Sequence, residues 1–324
     1  MACKSPWRTA LAATVWIAAT SGFAAAQDWP SKTVTAIVPL GAGTASDVAA
    51  RVVMEQVAKQ VGQSFVIENR PGAGGTTGAN AVAKATPDGV TMLVYGAMAG
   101  SAALYSKLPY DPLGDFIPVV SLGQQPLAVV VSPARGWKTL ADLVAEGKAK
   151  PGTLNYSTAG IGSASHFGAE RLRVSAGFEA QQIAFRGMEA LTEIIAGRVD
   201  FSVQPFSNTL ALIREGKLAA LALSAGKRVA ALPEVPTTIE AGLPPDSVYP
   251  FYTGVYLPAK TPPAIVERLH DEIAKALEAP AVRERLAGLG IEPMPMTTDQ
   301  FGKFFRDDVA ANIALVKAAK IPTQ

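Results

Sequence analysis

Two glycine-rich turns of one design constrain this chain more than any other feature of its sequence. The first, at residues 39–47, reads Pro-Leu-Gly-Ala-Gly-Thr-Ala-Ser-Asp and joins an apolar run to a helical pattern that continues to Val61. The second, at 157–163, reads Ser-Thr-Ala-Gly-Ile-Gly-Ser and precedes a helical pattern that starts near Ala164. Each predicts a strand that enters a helix through a small-residue loop, where free N–H groups and the helix dipole favour an anion. Two such turns can hold one carboxylated molecule from opposite sides, although the glycines alone also fit ordinary tight connections.

The first 26 residues have the layout of a secretory signal peptide. Lys4 and Arg8 form a basic start, residues 10–19 form an apolar run too short to span a bilayer, and residues 24–26 offer a small-residue cleavage site before Gln27. A membrane anchor is the alternative, which the short run and the cleavage site disfavour. Cys3 precedes the apolar run, so a lipoprotein attachment is not expected. We therefore predict export to the periplasm and a mature chain that begins at Gln27.

The composition of the predicted mature chain excludes several classes of protein. The only cysteine lies in the leader, which excludes disulfides and cysteine-based metal sites. The whole chain has 29 basic and 27 acidic side chains, and the leader carries two basic and no acidic ones, so the mature formal net charge is zero. Nucleic acid is therefore not an expected partner, because no basic excess neutralises phosphates. We also expect no metal site, no cofactor and a monomer.

Short β-branched runs alternate with helical patterns along most of the chain. One helical stripe consists of Ala50, Val53, Val57 and Val61, spaced three and four residues apart. The predicted strands lie at 33–38, 64–68, 91–95, 127–132, 153–157, 182–185, 199–203, 218–223 and 252–257. This alternation predicts α/β lobes, each a mostly parallel sheet flanked by helices on both faces.

Proline- and glycine-rich segments at 108–118 and 232–250 mark the places where the chain is expected to pass between two lobes. The strands at 127–132 and 252–257 are then predicted to be the crossover strands of a hinge. Lobe 1 is accordingly predicted to comprise residues 27–128 and 251–324, and lobe 2 residues 129–250.

Several short motifs follow one another in a fixed order. They are Val38-Pro39 with 47–51 (Asp-Val-Ala-Ala-Arg), 68–75 (Glu-Asn-Arg-Pro-Gly-Ala-Gly-Gly), 87–89 (Pro-Asp-Gly), 154–157 (Leu-Asn-Tyr-Ser) leading to 162–166 (Gly-Ser-Ala-Ser-His), 195–200 (Ile-Ala-Gly-Arg-Val-Asp), 232–237 (Leu-Pro-Glu-Val-Pro-Thr) and 240–244 (Glu-Ala-Gly-Leu-Pro). Taken together, they resemble the extracytoplasmic solute receptors of tripartite tricarboxylate transporters, the Bug receptors. The resemblance implies a two-lobed clamshell of the periplasmic-binding-protein type. Such a protein closes over a small carboxylate and presents it to inner-membrane permease subunits.

The same resemblance implies that backbone amides and ordered waters of the two turns hold the ligand carboxylate. In lobe 1 it indicates the ligand-binding residues Leu40, Gly41, Ala42, Gly43, Thr44, Asp47, Gly75, Thr76 and Thr77. In lobe 2 it indicates Ser157, Thr158, Gly162, Ser163, His166, Phe185, Arg186 and Gly187. It indicates no catalytic and no metal-binding residue. This chain departs from the family pattern at Leu40, where an aromatic residue is common, at Thr44, where glycine is common, and at Arg186, where lysine is frequent.

Three of these residues also have structural interpretations. Asp47 has the Ser/Thr-x-x-Asp spacing of a capping box and lies four residues before Arg51, so it either stabilises the helix start or serves the loop and ligand. His166 either donates to a carboxylate or is a structural histidine. Arg186 either grips a carboxylate with two hydrogen bonds or pairs with an acid such as Glu189.

Two kinds of enzyme are alternatives to a receptor. The pattern Gly41-x-Gly43-x-x-Ser46 follows a predicted strand, as in a dinucleotide fingerprint, but serine replaces the third glycine. A serine hydrolase lacks its Gly-x-Ser-x-Gly elbow here, and the mature chain has two histidines to act as base. The favoured interpretation is a receptor without catalysis. Its ligand stays open among aliphatic dicarboxylates, citrate-like acids, acidic amino acids and aromatic acids. Leu40 and the aromatic cluster of Tyr249, Phe251 and Tyr252 favour a bulkier or aromatic acid.

Overall fold

The computed structural model describes residues 29–318, 320, 321 and 323, so the predicted signal peptide lies outside the described residues. Ten strands occur in this part of the chain: β1 (Val34–Val38), β2 (Phe65–Asn69), β3 (Thr91–Tyr95), β4 (Phe116–Gln125), β5 (Leu127–Val131), β6 (Leu154–Thr158), β7 (Ala180–Ala184), β8 (Phe201–Pro205), β9 (Ala219–Leu223) and β10 (Phe251–Pro258). The α-helices are α1 (Ala45–Val61), α2 (Thr76–Ala83), α3 (Met98–Leu104), α4 (Leu140–Ala149), α5 (Ala164–Ala176), α6 (Glu189–Ile195), α7 (Phe206–Arg214), α8 (Pro263–Glu278), α9 (Pro280–Gly288) and α10 (Thr298–Ala318).

The strands form two sheets of five. Sheet 1 has the order β2-β1-β3-β10-β4, and sheet 2 has the order β7-β6-β8-β5-β9. In sheet 1 the strand β10 runs antiparallel to both of its neighbours, and in sheet 2 the strand β5 does the same. The other four strands of each sheet run in one direction, which confirms the predicted α/β fold with mostly parallel sheets. We call each sheet with its covering helices a lobe.

The chain passes from sheet 1 to sheet 2 at Pro126, between β4 and β5, and returns before β10. The predicted boundary after residue 128 falls inside β5, whose first residue, Leu127, already pairs with Pro205 in sheet 2. The two strands assigned to the hinge therefore follow the crossings, and each lies wholly within one sheet.

Both faces of each sheet are covered by helices. In β1, the residues Val34, Ala36 and Val38 pack into a core with α1 and α8, whereas Ile37 packs into a second core on the opposite face. This alternation places helices α1, α8 and α9 on one face of sheet 1, and α2, α3 and α10 on the other. Sheet 2 is covered likewise, by α4 and α5 on one face and by α6 and α7 on the other.

Nine strands were predicted within two residues of their observed bounds, but β4 was missed. Its sequence contains Pro118 and Gly123, which both disfavour a strand. The topology removes the conflict, because β4 is the edge strand of sheet 1 and a proline is tolerated where one side of the strand has no neighbour. The segment at 108–118 was thus wrongly interpreted as the exit from lobe 1.

The two lobes touch beside the glycine-rich turns. The hydroxyl of Tyr105 lies 3.2 Å from the carbonyl oxygen of Ala73 and 3.5 Å from that of Ile161 in the second turn. A methyl group built on Gly100 of α3 would lie 2.4 Å from the ring of Phe167 in α5. Helix α3 of lobe 1 therefore packs directly against the start of α5 in lobe 2.

Candidate functional site

A narrow cleft lies where the two glycine-rich turns face each other. It is lined by Leu40, Thr44, Ala45, Ser46, Ala97, Ala159, Ser163, Ala164, Ser165, Gln204, Pro205, Asn208 and Phe251. Residues of both lobes contribute, and none of these side chains carries a charge. An ion bound here would therefore contact hydroxyl, amide and backbone groups.

The first turn is held by hydrogen bonds that leave the start of α1 facing the cleft. Thr44 is the N-cap residue of α1, and its hydroxyl donates to the carbonyl of Gly41 at 2.9 Å. The N–H of Gly43 donates to the carboxylate of Asp47 at 2.9 Å. The spacing of residues 44–47 therefore does not form the capping box that was one of its two interpretations, because the Thr44 hydroxyl turns back into the loop. The N–H groups of Ala45 and Ser46 have no helical carbonyl to bind, as in any first turn.

The second turn repeats both of these side-chain hydrogen bonds, but here the N-cap hydroxyl also accepts from the helix, from the N–H of His166 at 3.3 Å. Ser163 is the N-cap residue of α5, and its hydroxyl donates to the carbonyl of Gly160 at 2.6 Å. The N–H of Gly162 donates to Nδ1 of His166 at 3.3 Å. His166 thus takes the role that Asp47 has in the first turn. The two turns present the same feature, the start of a helix of more than ten residues, to opposite sides of one cleft.

The Asp47 carboxylate forms all of its hydrogen bonds with residues of its own lobe. It accepts hydrogen bonds from Gly43, from the Arg51 guanidinium at 3.1 Å and from Asn69 at 3.0 Å. Burial raises the pKa of Asp47, but the hydrogen bonds from Arg51, Gly43 and Asn69 together lower it further, so its pKa lies below the ordinary value. The side chain is 3% exposed and does not line the cleft. Asp47 therefore makes both the Arg51 pair of the helix-stabilising alternative and the loop contact of the other alternative.

His166 is buried and neutral. Because Nδ1 accepts the Gly162 N–H, the ring proton of the neutral imidazole sits on Nε2. Burial lowers the pKa of His166, and the nearby Glu170 only partly opposes this effect. A second proton on the ring would remove the acceptor that holds Gly162 and would place a positive charge at the start of a helix, where the dipole disfavours it.

The stability of the protein is therefore expected to depend on His166 in mildly acidic solution. Below the ordinary histidine pKa of 6.5, the unfolded chain binds a proton that the folded chain does not, so the free energy of unfolding falls as the pH falls. When the pH is lowered from roughly 7.5 to 5.5, the free energy of unfolding measured with urea is expected to fall further for the wild type than for His166→Asn, by up to about 1 kcal/mol. Asparagine keeps an acceptor for Gly162 but does not titrate. An equal loss in both proteins would contradict this role.

Some of the other predicted residues line the cleft and others lie behind or beside it. Leu40, Thr44 and Ser163 line the cleft, whereas Gly41, Ala42, Gly43 and Gly162 shape the turns behind it. Thr76 and Thr77 begin α2 after Gly75, which packs against the ring of Tyr95, and none of the three lines the cleft. Ser157 and Thr158 are buried at the end of β6, where the Ser157 hydroxyl donates to Ala190 and the Thr158 hydroxyl accepts from Gln182.

The segment from Phe185 to Gly187 lies beside the second turn and not in the cleft. The Phe185 N–H donates to Thr158, and the Arg186 N–H donates to the Glu189 carboxylate at 3.4 Å. The exposed Arg186 guanidinium forms no ion pair with any residue that the structure describes, so the predicted pairing with Glu189 involves only the backbone. A ligand carboxylate in the cleft would thus be held without this cation.

Sequence reasoning missed a third segment of the cleft. Gln204 and Pro205 end β8, and Asn208 lies in the first turn of α7. Because β8 runs parallel to β6, the ends of both strands reach the same edge of sheet 2. No glycine marks this segment, so no local signal indicated it.

Ser46 and Ser165, which also line the cleft, could have been found from the sequence. Residues 44–46 and 163–165 share the pattern Ser/Thr-Ala-Ser, which places a serine at the same position of each turn.

Outside the cleft, the described chain has neither a metal-binding cluster nor a membrane-spanning helix. Within residues 29–318, 320, 321 and 323, no three histidine, cysteine, aspartate or glutamate side chains come together as a metal site would require. In the same residues, no helix has the length and apolar character needed to cross a bilayer.

Two α/β lobes whose strand-to-helix turns meet over a cleft define a two-lobed solute-binding protein. Comparison with known families agrees, since the family model described as the tripartite tricarboxylate transporter family receptor, TctC, matches residues 49–321. The chain belongs to this family.

Individual relatives extend over nearly the whole chain. The protein BugT of Bordetella pertussis is 34% identical over 298 residues, which cover 90% of this chain and 91% of BugT. The structure of MatC from Rhodopseudomonas palustris with bound malate is 33% identical, with a TM-score of 0.84, and covers 89% of this chain and 100% of MatC. The structure of R. palustris Rpa4515 with adipate is 28% identical, with a TM-score of 0.87, over 92% of this chain and 100% of the other. The predicted resemblance to Bug receptors is thereby confirmed.

Proposed function

We propose that this protein is exported to the periplasm, binds one small carboxylate in the cleft, and delivers it to the inner-membrane permease subunits of a tripartite tricarboxylate transporter. The observation that supports the binding site is the meeting of two helix starts, Ala45-Ser46 of α1 and Ala164-Ser165 of α5, on opposite walls of a cleft without charged side chains. Helix N-termini stabilise anions through unpaired N–H groups and the helix dipole. In this proposal residues 1–26 are the cleaved signal peptide, and the receptor acts as a monomer.

The ligand class follows from the cleft and from the family. MatC and Rpa4515, both of this fold, have malate and adipate in their structures, and both compounds are small dicarboxylates. In this chain the cleft offers main-chain donors from both lobes, so a carboxylate gains its full set of contacts only when the lobes are together. Binding would therefore shift the protein towards the closed arrangement, and this closed form is the one recognised by the permease.

The histidine contacts favour a receptor over a hydrolase. His166 accepts from the backbone N–H of Gly162, and the ring nitrogens of His270 contact Asp271 and the carbonyl of Met296. Neither ring contacts a serine hydroxyl among the described residues, as the base of a serine hydrolase would. The mechanism is binding and closure, without covalent chemistry or cofactor.

A thermal-shift screen of the mature chain from Gln27 tests this function. Mono-, di- and tricarboxylates and aromatic acids are added at millimolar concentration. A ligand at about one hundred times its dissociation constant stabilises the folded state by about 2.7 kcal/mol and raises Tm by roughly 5 °C or more. The matching carboxamides are the control, since they lack the anion and should give no shift. Absence of a shift with every acid, or equal shifts with the amides, would overturn the proposal.

A further inference from the structure

We propose that Ser46 and Asn208 form a subsite for a hydroxyl group of the ligand, so that the receptor selects 2-hydroxy acids over the same acids without the hydroxyl. This inference rests on the proposed function and specifies the ligand of the same cleft. Both side chains line the cleft, one on α1 of lobe 1 and the other on α7 of lobe 2.

Ser46 is a buried hydroxyl without a protein partner. The residue is 1% exposed, and its Oγ forms no hydrogen bond with any residue that the structure describes. A buried hydroxyl that is left unpaired costs free energy, and a ligand that pairs with it recovers that cost. Because Ser46 is the second residue of α1, its hydroxyl lies next to the N–H groups proposed to hold the carboxylate. The ligand group that it meets is therefore close to the ligand carboxylate.

The second turn provides an internal comparison. Ser165 occupies the matching position in α5, and its Oγ accepts from the N–H of Ala159 at 2.9 Å and lies 3.0 Å from the hydroxyl of Ser163. A serine at this position is thus satisfied within its own turn in lobe 2. The turns share the bond from the N-cap hydroxyl back into the loop and the bond from the glycine N–H to the fourth residue after it. They differ at the N-cap, where Ser163 also accepts from the N–H of His166, and at the following serine, which is unpaired only in lobe 1.

Asn208 supplies a complementary acceptor. Its Oδ1 is buried and forms no hydrogen bond within the described chain. The first two N–H groups of α7 are already used at the crossing between lobes, by the carbonyl of Pro126 and the side chain of Gln125. An amide oxygen requires a donor, and an ionised carboxylate has none. A ligand hydroxyl can donate to Asn208 and accept from Ser46, which satisfies both atoms at once.

An ammonium group is also a donor, but the cleft does not suit it. No carboxylate lines the cleft, and that of Asp47 is held by Gly43, Arg51 and Asn69. Burying an ammonium without a counter-charge is strongly unfavourable. The subsite therefore fits a neutral hydroxyl, as in malate, better than the charged amine of aspartate.

Calorimetric titration with pairs of acids that differ by one hydroxyl tests the inference. The pairs are malate and succinate, lactate and propionate, and mandelate and phenylacetate. For a pair that binds, the hydroxy acid is expected to bind about tenfold more tightly, which corresponds to one additional hydrogen bond. In Ser46→Ala and in Asn208→Ala this ratio should fall below about threefold, with most of the loss in the affinity for the hydroxy acid.

Ser165→Ala is the matched control, because it removes a hydroxyl that is satisfied within its turn. It should weaken both members of a pair by the same factor and keep their ratio. The inference would be overturned if the two acids of a pair bind equally, or if the acid without the hydroxyl binds more tightly. It would also be overturned if aspartate binds more tightly than malate, or if the affinity ratio is unchanged in both Ser46→Ala and Asn208→Ala. If no carboxylate of any class binds, the proposed function itself fails.

Discussion

Replacement of Ala164 by aspartate is expected to weaken carboxylate binding at least about hundredfold while the protein stays folded. Ala164 is the first residue of α5, is half-buried and lines the cleft. A carboxylate at this position would occupy the helix start that the ligand is proposed to use. Two like charges about 4 Å apart repel by up to about 4 kcal/mol near a protein surface, and each 1.4 kcal/mol is a tenfold change in affinity.

The same substitution is favourable for the helix itself. Acidic side chains in a first turn stabilise a helix by about 0.3–1 kcal/mol, so the melting temperature of Ala164→Asp should equal or exceed that of the wild type. This separates lost binding from lost folding. Ala164→Asn is the isosteric control, and it should retain most of the affinity because it adds bulk but no charge. Equal losses of affinity in the two variants would mean that shape, and not charge, limits binding. Full affinity in Ala164→Asp would exclude this helix start from the site.

The local part of the site was predictable because it is encoded in short stretches of sequence. Glycines at 43 and 162 adopt positive φ angles of 79° and 81°, which let the chain turn from a strand directly into a helix. The hydroxyl residues that follow, Thr44 and Ser163, are of the types favoured at the N-cap, although only Ser163 accepts from an N–H of its helix. A strand, a glycine-rich loop and a capped helix can all be read within about fifteen residues, so both turns were located correctly from the sequence.

The remaining part of the site depends on strand order, which local patterns do not encode. Gln204 and Asn208 reach the cleft because β8 lies beside β6 in the middle of sheet 2. Phe185 and Arg186 follow β7, the edge strand on the other side of β6, and they end beside the turn instead of in the cleft. The sequence alone gives no means of ordering three parallel strands, so Arg186 was selected for its family resemblance and its chemistry, and Asn208 was overlooked.

The contact between the lobes leads to a second large effect, at Gly100. Gly100→Ala is expected to weaken ligand binding about tenfold without lowering the stability of the protein. A methyl group at Gly100 would lie 2.4 Å from Cε2 of Phe167. Gly100 belongs to α3 of lobe 1 and Phe167 to α5 of lobe 2, so the clash exists only while the lobes are in contact. Forcing extra atoms into such a contact costs about 1–3 kcal/mol, and this cost would fall on the closed form to which the ligand binds.

The free energy of unfolding is expected to be unchanged or slightly higher in Gly100→Ala, since alanine is a better helix former than glycine by up to about 1 kcal/mol.

Gly147 provides the matched control. It is a helical glycine in α4, and a methyl group there would lie 2.5 Å from the ring of Phe178 in the same lobe. Opening the lobes does not relieve that clash, so Gly147→Ala should lower the free energy of unfolding by about 1–3 kcal/mol and leave the affinity unchanged. Calorimetric titration and urea unfolding of both variants separate the two effects. If Gly100→Ala instead loses stability and keeps its affinity, the contact between α3 and Phe167 belongs to a rigid core, and ligand binding does not require the lobes to close there.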